Sequence, residues 1–189
     1  IGVVMFALVI LPSLGRSRHM LSNVEMSTIA KDNFHYRTKV ITRILAFVYV
    51  GMTLITTLLL KYAGMNWFDA LTHAMSACGT CGFSTKNLSI AFFDSAAIEA
   101  ILMVAMTLAG IHFGVLYATI TGRKNNIFRS TIVRTYIGML VSVSVVIAIS
   151  LFAEGIYESF GEAMRYATFQ VVSYTTTTGF ATADANTWT

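Results

Sequence analysis

The chain has 189 residues, of which 56% are hydrophobic and only 12% charged, with a mean hydropathy of +0.68 and a formal net charge of +4. Soluble domains carry about 25% charged residues, so composition excludes an ordinary water-exposed globular surface. The basic excess lacks the aromatic-interleaved patch of a nucleic-acid binder and is better read as a signal of membrane topology.

In chain order, Ile1 to Leu14 is apolar as far as Pro12 and has neither an initiator Met nor a basic leader. It reads as the end of a preceding transmembrane helix rather than a signal peptide, which makes the chain a piece of a longer one. Residues 15–43 are the one substantial polar stretch and read as a cytoplasmic connection. Three spans follow, Ile44 to Leu60, Ala100 to Thr121 and Thr135 to Ala153, each free of Asp, Glu, Lys and Arg. Each is near the ~20 residues that a helix needs to cross hydrocarbon. Residues 122–134 form a second polar loop, and the fold class predicted is an all-α polytopic membrane protein.

Charge orients the spans. Residues 13–43 hold Arg16, Arg18, Lys31, Arg37, Lys39 and Arg43 against Glu25 and Asp32, and residues 122–134 hold Arg123, Lys124, Arg129 and Arg134 with no acid. The opposite side is acidic, with Asp69, Asp94, Glu99, Glu154, Glu158, Glu162 and Asp184 against Lys61, Lys86 and Arg165. The positive-inside rule therefore puts 13–43 and 122–134 in the cytoplasm. Tyr62, Trp67 and Trp188 then fit an outer interfacial belt, and Asp94 and Glu99, near the outer end of their helix, read either as charges that attract cations to the mouth or as solvated interface charges.

The chain repeats itself. After the first span comes Trp67-Phe68-Asp69-Ala70-Leu71-Thr72-His73-Ala74 and then Cys78-Gly79-Thr80-Cys81-Gly82-Phe83-Ser84-Thr85. After the third comes Phe160-Gly161-Glu162-Ala163-Met164-Arg165-Tyr166-Ala167 and then Thr176-Thr177-Thr178-Gly179-Phe180-Ala181-Thr182. Both read as acid, Ala, apolar, any residue, ring, Ala, followed by Gly-Phe-small-Thr. Ala74 precedes Gly82 by eight residues and Ala167 precedes Gly179 by twelve, a surplus of one helical turn that predicts a longer second short helix. Each unit is thus a span, a short descending helix, a loop and a span: 44–121 is one, and 135–189 is another that stops before its closing helix.

The loops carry the chemistry. Non-helical backbone at membrane depth is tolerated where its carbonyls line a water-filled path, and rings of carbonyls replace the hydration shell of a monovalent cation. Glycine permits the left-handed turns this needs, threonine adds uncharged oxygen ligands, and the C-terminal ends of the short helices favour positive charge. The candidate ion-binding residues are Gly79, Thr80, Cys81 and Gly82 in the first loop and Thr176, Thr177, Thr178 and Gly179 in the second.

These motifs, with Leu108-Ala109-Gly110 and Phe113-Gly114 in the closing helix, resemble the Trk/Ktr/HKT superfamily of potassium transporters and its TrkH branch of membrane subunits. The resemblance covers essentially the whole chain. It implies a pseudo-fourfold cation channel of four membrane helix-pore helix-filter loop-membrane helix units in one polypeptide, with 1–14 ending the first unit, 44–121 the second and 135–189 the third. Gly82 and Gly179 become the filter glycines of the second and third units, with potassium held at Thr80, Cys81, Gly82, Thr177, Thr178 and Gly179 as transported ligand and no cofactor. The first and fourth filter segments lie outside this sequence. The resemblance further implies an inner-membrane, multi-pass protein that dimerises and docks a cytoplasmic nucleotide-binding regulatory subunit. Where many relatives carry Gly or another small residue before the filter glycine, this chain has Cys81.

Two readings compete. Cys78-Gly79-Thr80-Cys81 is also a thiol redox signature, although no second Cys pair or βαβ pattern accompanies it, and a degenerate loop would leave a non-conducting membrane scaffold. No hydrolase triad, phosphate-binding loop or paired acid and base suggests an enzyme. His112 reads as a packed ring between Gly110 and Gly114, a small-xxx-small pair suited to close helix packing. The filter reading predicts that Cys78→Ser/Cys81→Ser in the intact protein retains cation uptake, measured as rubidium flux; loss of flux with folding intact would favour the thiol reading.

Overall fold

The computed structural model describes residues 38–111 and 130–183, with the isolated positions 115, 116, 119, 127 and 188. The expected helix end at 1–14, nearly all of the 15–43 connection, most of 122–134, and His112, Gly114 and Asp184 lie outside the described residues. The chain divides into two compact units, 1–51 and 52–189. Of the first, the described part is the start of a helix, and the architecture below is that of the second.

All regular structure among the described residues is helical. Helix α1 runs over Thr38–Tyr62, α2 over Trp67–Cys78, a 3₁₀ turn over Ser89–Phe93, α3 over Ala96–Ala109, α4 over Thr131–Ala153 and α5 over Phe160–Thr175. Helices α1 and α4 are long and apolar enough to cross a bilayer, and only 28% and 22% of their apolar windows are buried. A core helix of a soluble protein would be mostly covered. Here Leu54, Ile55, Leu58 and Leu59 on α1 and Val141, Val146, Ile149 and Phe152 on α4 stay exposed, as lipid-facing side chains do.

The third expected span, Ala100 to Thr121, is interrupted: α3 ends at Ala109 with Gly110 as its C-cap, and the described positions 115, 116 and 119 beyond it are again helical. A Cβ at Gly110 would stand 2.6 Å from the Tyr136 hydroxyl of α4, so the interruption lies beside a neighbouring ring. Hydropathy registers apolar length and is blind to such a notch.

The short helices pack through their alanines. Ala70, Ala74 and Ala77 on α2 and Ala163 and Ala167 on α5 are all fully buried, spaced at i, i+4 and i+7 or i+4 so that one face of each helix approaches its neighbours closely. Helix α4 packs along α5, and α3 touches both α2 and α5. Leu60, Met65, Ile98, Leu102, Met106, Phe169 and Phe180 join the alanine face of α2 in one core, while Ala163 and Ala167 of α5 pack with Ala148 and Leu151 of α4 in a second. Helix α5 has 16 residues against 12 in α2, the extra turn that the spacing of the repeats requires.

One buried ion pair ties α3 to α5. Glu99, 1% exposed, accepts from Arg165 Nε at 2.6 Å and from Nη2 at 2.8 Å, and exposed Asp94 stands 3.7 Å from Nη2. Glu99 is therefore a structural charge, in place of the outer surface charge expected from its position. Trp188 departs in the same way: it is partly buried and donates to the Tyr157 hydroxyl at 3.1 Å, while Tyr62 and Trp67 are exposed. Because the Arg165 side chain keeps 30% of its exposure and Glu99 only 2%, removing the arginine strands the worse-solvated charge. Arg165→Met is expected to destabilise the protein by about 3 kcal/mol and Glu99→Gln by about half that, a ranking read from thermal unfolding in detergent.

Candidate functional site

Each short helix ends at one of the predicted loops. Asn66 caps α2, accepting from Asp69 N–H at 2.7 Å and donating to the Asp69 carboxylate at 2.9 Å. Ser159 caps α5 by accepting from Gly161 N–H at 3.2 Å. Both helices therefore start at a polar cap and point their carbonyl ends at Gly79 and Thr176, which favours positive charge at the loop entrances.

The two loops have one backbone design. Gly79 N–H donates to Met75 O and Thr176 N–H to Val172 O; Thr80 N–H donates to Ala77 O and Thr177 N–H to Tyr174 O; Cys81 N–H donates to Ser76 O and Thr178 N–H to Ser173 O. Thr80 (φ 51°) and Thr177 (φ 58°) are left-handed, and so are Gly82 (φ 71°) and Gly179 (φ 88°), with negative φ between. Left-handed and right-handed residues therefore alternate in the same order through both turns. A non-glycine residue held left-handed costs roughly 1–2 kcal/mol, and two threonines adopt it at matching positions. The structure thus places all eight predicted residues in two like turns, and it brings the turns together: a Cβ on Gly82 would collide with the Thr178 carbonyl.

Side chains of the preceding helix hold each turn in place. After the first turn, Thr85 donates to the Asp69 carboxylate at 2.6 Å, and Lys86 Nζ stands 3.6 Å from its other oxygen. His73 Nδ1 donates to the Asp69 carbonyl at 2.7 Å. That fixes the tautomer, so Nε2 accepts the Ser84 hydroxyl at 2.9 Å while Ser84 Oγ accepts from Lys86 N–H. After the second turn, Ser173 donates to Phe180 O at 2.7 Å and Gln170 Nε2 to Ala183 O at 3.0 Å.

The two repeats also lock to each other. Ile90 and Ala91 N–H donate to the Ala181 carbonyl at 3.1 and 3.2 Å, and Ala181 N–H donates to the Ser89 hydroxyl. Phe180, fully buried, lies against His73, with ring centroids 5.8 Å apart. Its counterpart Phe83 is 75% exposed. Cys78 is buried and Cys81 exposed, so the two thiols occupy opposite environments. Glu154, Glu158 and Glu162 are exposed, as expected.

Asp69, His73, Ser84, Gln170 and Ser173 were absent from the residues singled out for ion binding. One signal was available: Ser76 precedes Gly82 by six residues and Ser173 precedes Gly179 by six, and their carbonyls fix the two turns alike. The pairings of Asp69 and His73 across the loop have no counterpart in spacing.

The family model of TrkH, described as a cation transport protein, matches residues 1–156. The chain is 33% identical over 189 residues to the Trk system potassium uptake protein TrkH of Salmonella typhimurium, covering 99% of this chain and 39% of that protein. It is 34% identical to the protein of the same name from Halomonas elongata, with the same coverage. Among solved structures it resembles the potassium transporter TrkH from Vibrio parahaemolyticus, with 28% identity and a TM-score of 0.78 over 100% of this chain and 38% of that one. The chain spans about two-fifths of the length of the curated relatives it matches.

Asp69 gives the site a pH signature. The Thr85 hydroxyl, and after it the Lys86 ammonium, hold its carboxyl below the ordinary value against the opposing effect of burial. A depressed carboxyl stabilises the fold above its unfolded pKa, and the contribution is lost as pH falls through the folded value. Asp69→Asn is expected to cost about 1–3 kcal/mol at neutral pH and to flatten the acid limb of the stability profile, measured by thermal melts at descending pH.

Proposed function

Because the chain belongs to the TrkH family of cation transport proteins, we propose that it supplies two of the four filter segments of a potassium uptake pore. The observation that supports this reading is the matched pair of turns, with left-handed Thr80 and Thr177 and left-handed Gly82 and Gly179 in the same order. Potassium sheds part of its hydration and is held by the carbonyls of Gly79 to Gly82 and Thr176 to Gly179, with the threonine hydroxyls beside them. Multi-site occupancy lets it pass on without covalent chemistry.

In this reading the short helices are pore helices, the loops face outward, and the basic segments 15–43 and 122–134 lie in the cytoplasm. The remaining two quarters of the ring come from the rest of the polypeptide. The whole protein sits in the inner membrane as a multi-pass dimer, with a nucleotide-binding regulatory subunit on its cytoplasmic face. Cys81, exposed at the first turn, contributes its carbonyl as any residue would.

The two glycines answer differently to substitution. A side chain at Gly179 meets nothing within 4 Å, whereas one at Gly82 runs into the Thr178 backbone. Gly179→Ser therefore carries mainly the left-handed strain of roughly 1–2 kcal/mol, and it is expected to keep the protein folded while lowering potassium over sodium preference. Gly82→Ser is expected to lose both preference and assembly. Competitive rubidium uptake by potassium-uptake-deficient cells reads the preference, and gel filtration in detergent reads the assembly; unchanged preference in both variants would overturn the filter assignment.

A further inference from the structure

Behind the second turn, where α3 stops, lies a three-residue contact. Gly110 caps α3, and the position its Cβ would take is 2.6 Å from Tyr136 Oη, 3.3 Å from Tyr136 Cζ and 3.3 Å from Thr176 Cγ2. The Tyr136 ring of α4 thus stands on one side of the space that glycine leaves, and the methyl of Thr176, first residue of the second turn, borders the same space. The Tyr136 hydroxyl is buried and has no hydrogen-bond partner among the described residues. A buried hydroxyl without a partner is costly, so hydrogen bonding gives no reason for its place there. What the ring does is fill space.

The other side of Thr176 is fixed by hydrogen bonds. Its hydroxyl donates to Val172 O at 2.8 Å, with Ser173 O at 3.3 Å beside it. That proton being committed, the contact of 2.8 Å with Thr178 Oγ1 is one in which Thr178 donates. Thr176 is therefore gripped between the end of α5 on its hydroxyl face and the Gly110–Tyr136 notch on its methyl face, and its position passes directly to Thr178.

We propose that Tyr136 and Gly110 are positioning residues for the second filter turn: the ring, seated in the notch where α3 stops, sets Thr176 and through it Thr178. The proposal rests on the filter reading of that turn and extends it to two residues outside the loop. Packed side chains transmit strain, and a methyl group at Gly110 would meet Tyr136 Oη at 2.6 Å and the Thr176 methyl at 3.3 Å.

The test is a rescue in the intact protein. Gly110→Ala is expected to lower potassium over sodium preference roughly tenfold, read by competitive rubidium uptake, with detergent melting close to wild type. Adding Tyr136→Phe removes the one atom that the new methyl meets at 2.6 Å and should recover most of the preference. Preference unchanged by Gly110→Ala, or no recovery in the double variant, would overturn the proposal. Should Gly110→Ala fail to assemble, Tyr136→Ala withdraws the ring without adding volume and is expected to lower preference similarly; an unaltered ratio there would overturn it as well. If the wild-type protein shows no selective cation uptake at all, it is the filter reading that fails, and the positioning role falls with it.

Discussion

A turn that leaves helix geometry after a short helix has surrendered the hydrogen bonds that would fix it, and the rest of this structure is organised around replacing them. Cys81 and Thr178 each reach back to a serine carbonyl five residues earlier, which closes the turn on its helix. Beyond each turn, the chain is caught by side chains of that same helix: Asp69 and His73 in one unit, Gln170 and Ser173 in the other. The helix is both the approach to the turn and the frame that holds its far end. Its alanine face makes this possible, because Ala70, Ala74, Ala163 and Ala167 let it sit deep among its neighbours while its polar residues address the loop.

The second level of restraint runs between the two repeats. The Ala181 carbonyl receives two N–H groups from the 3₁₀ turn of the other unit, Phe180 packs on its histidine, and Arg165 reaches Glu99 on its closing helix. These contacts differ in kind. The backbone clasp sets distance, the aromatic contact contributes burial, and the bidentate ion pair sets orientation at a cost in desolvation that only good geometry offsets. Together they bring Gly82 against Thr178 without a continuous piece of secondary structure joining the two turns.

Much of this was legible in the sequence, for identifiable reasons. Span length and charge depletion follow from the cost of burying charge in hydrocarbon, so α1 and α4 stood out from composition alone. The repeat displayed the loops, since glycine at a left-handed position and alanine at a tight helix contact are both narrow choices. Glu99 was misread because solvation was inferred from its place along the chain, and its partner Arg165 lies 66 residues away. The break at Gly110 was missed because an interruption within an apolar run leaves no hydropathic trace, and the Tyr136 ring beside it is brought near only by the packing. His73 showed its ring in the repeat but not its task, which depends on the Ser84 hydroxyl across the turn.

The extra turn of α5 has a consequence of its own. Four residues add about 6 Å of helix, and they carry buried Phe169 and Gln170, so the two units cannot be superimposed over their full length. A ring assembled from separate identical chains must accept every change at all of its positions at once. Units joined in one polypeptide are free of that condition: one can lengthen its helix while the turn it carries keeps the same left-handed pattern. Equivalent turns thus stand on unequal supports, 12 residues of helix before one and 16 before the other.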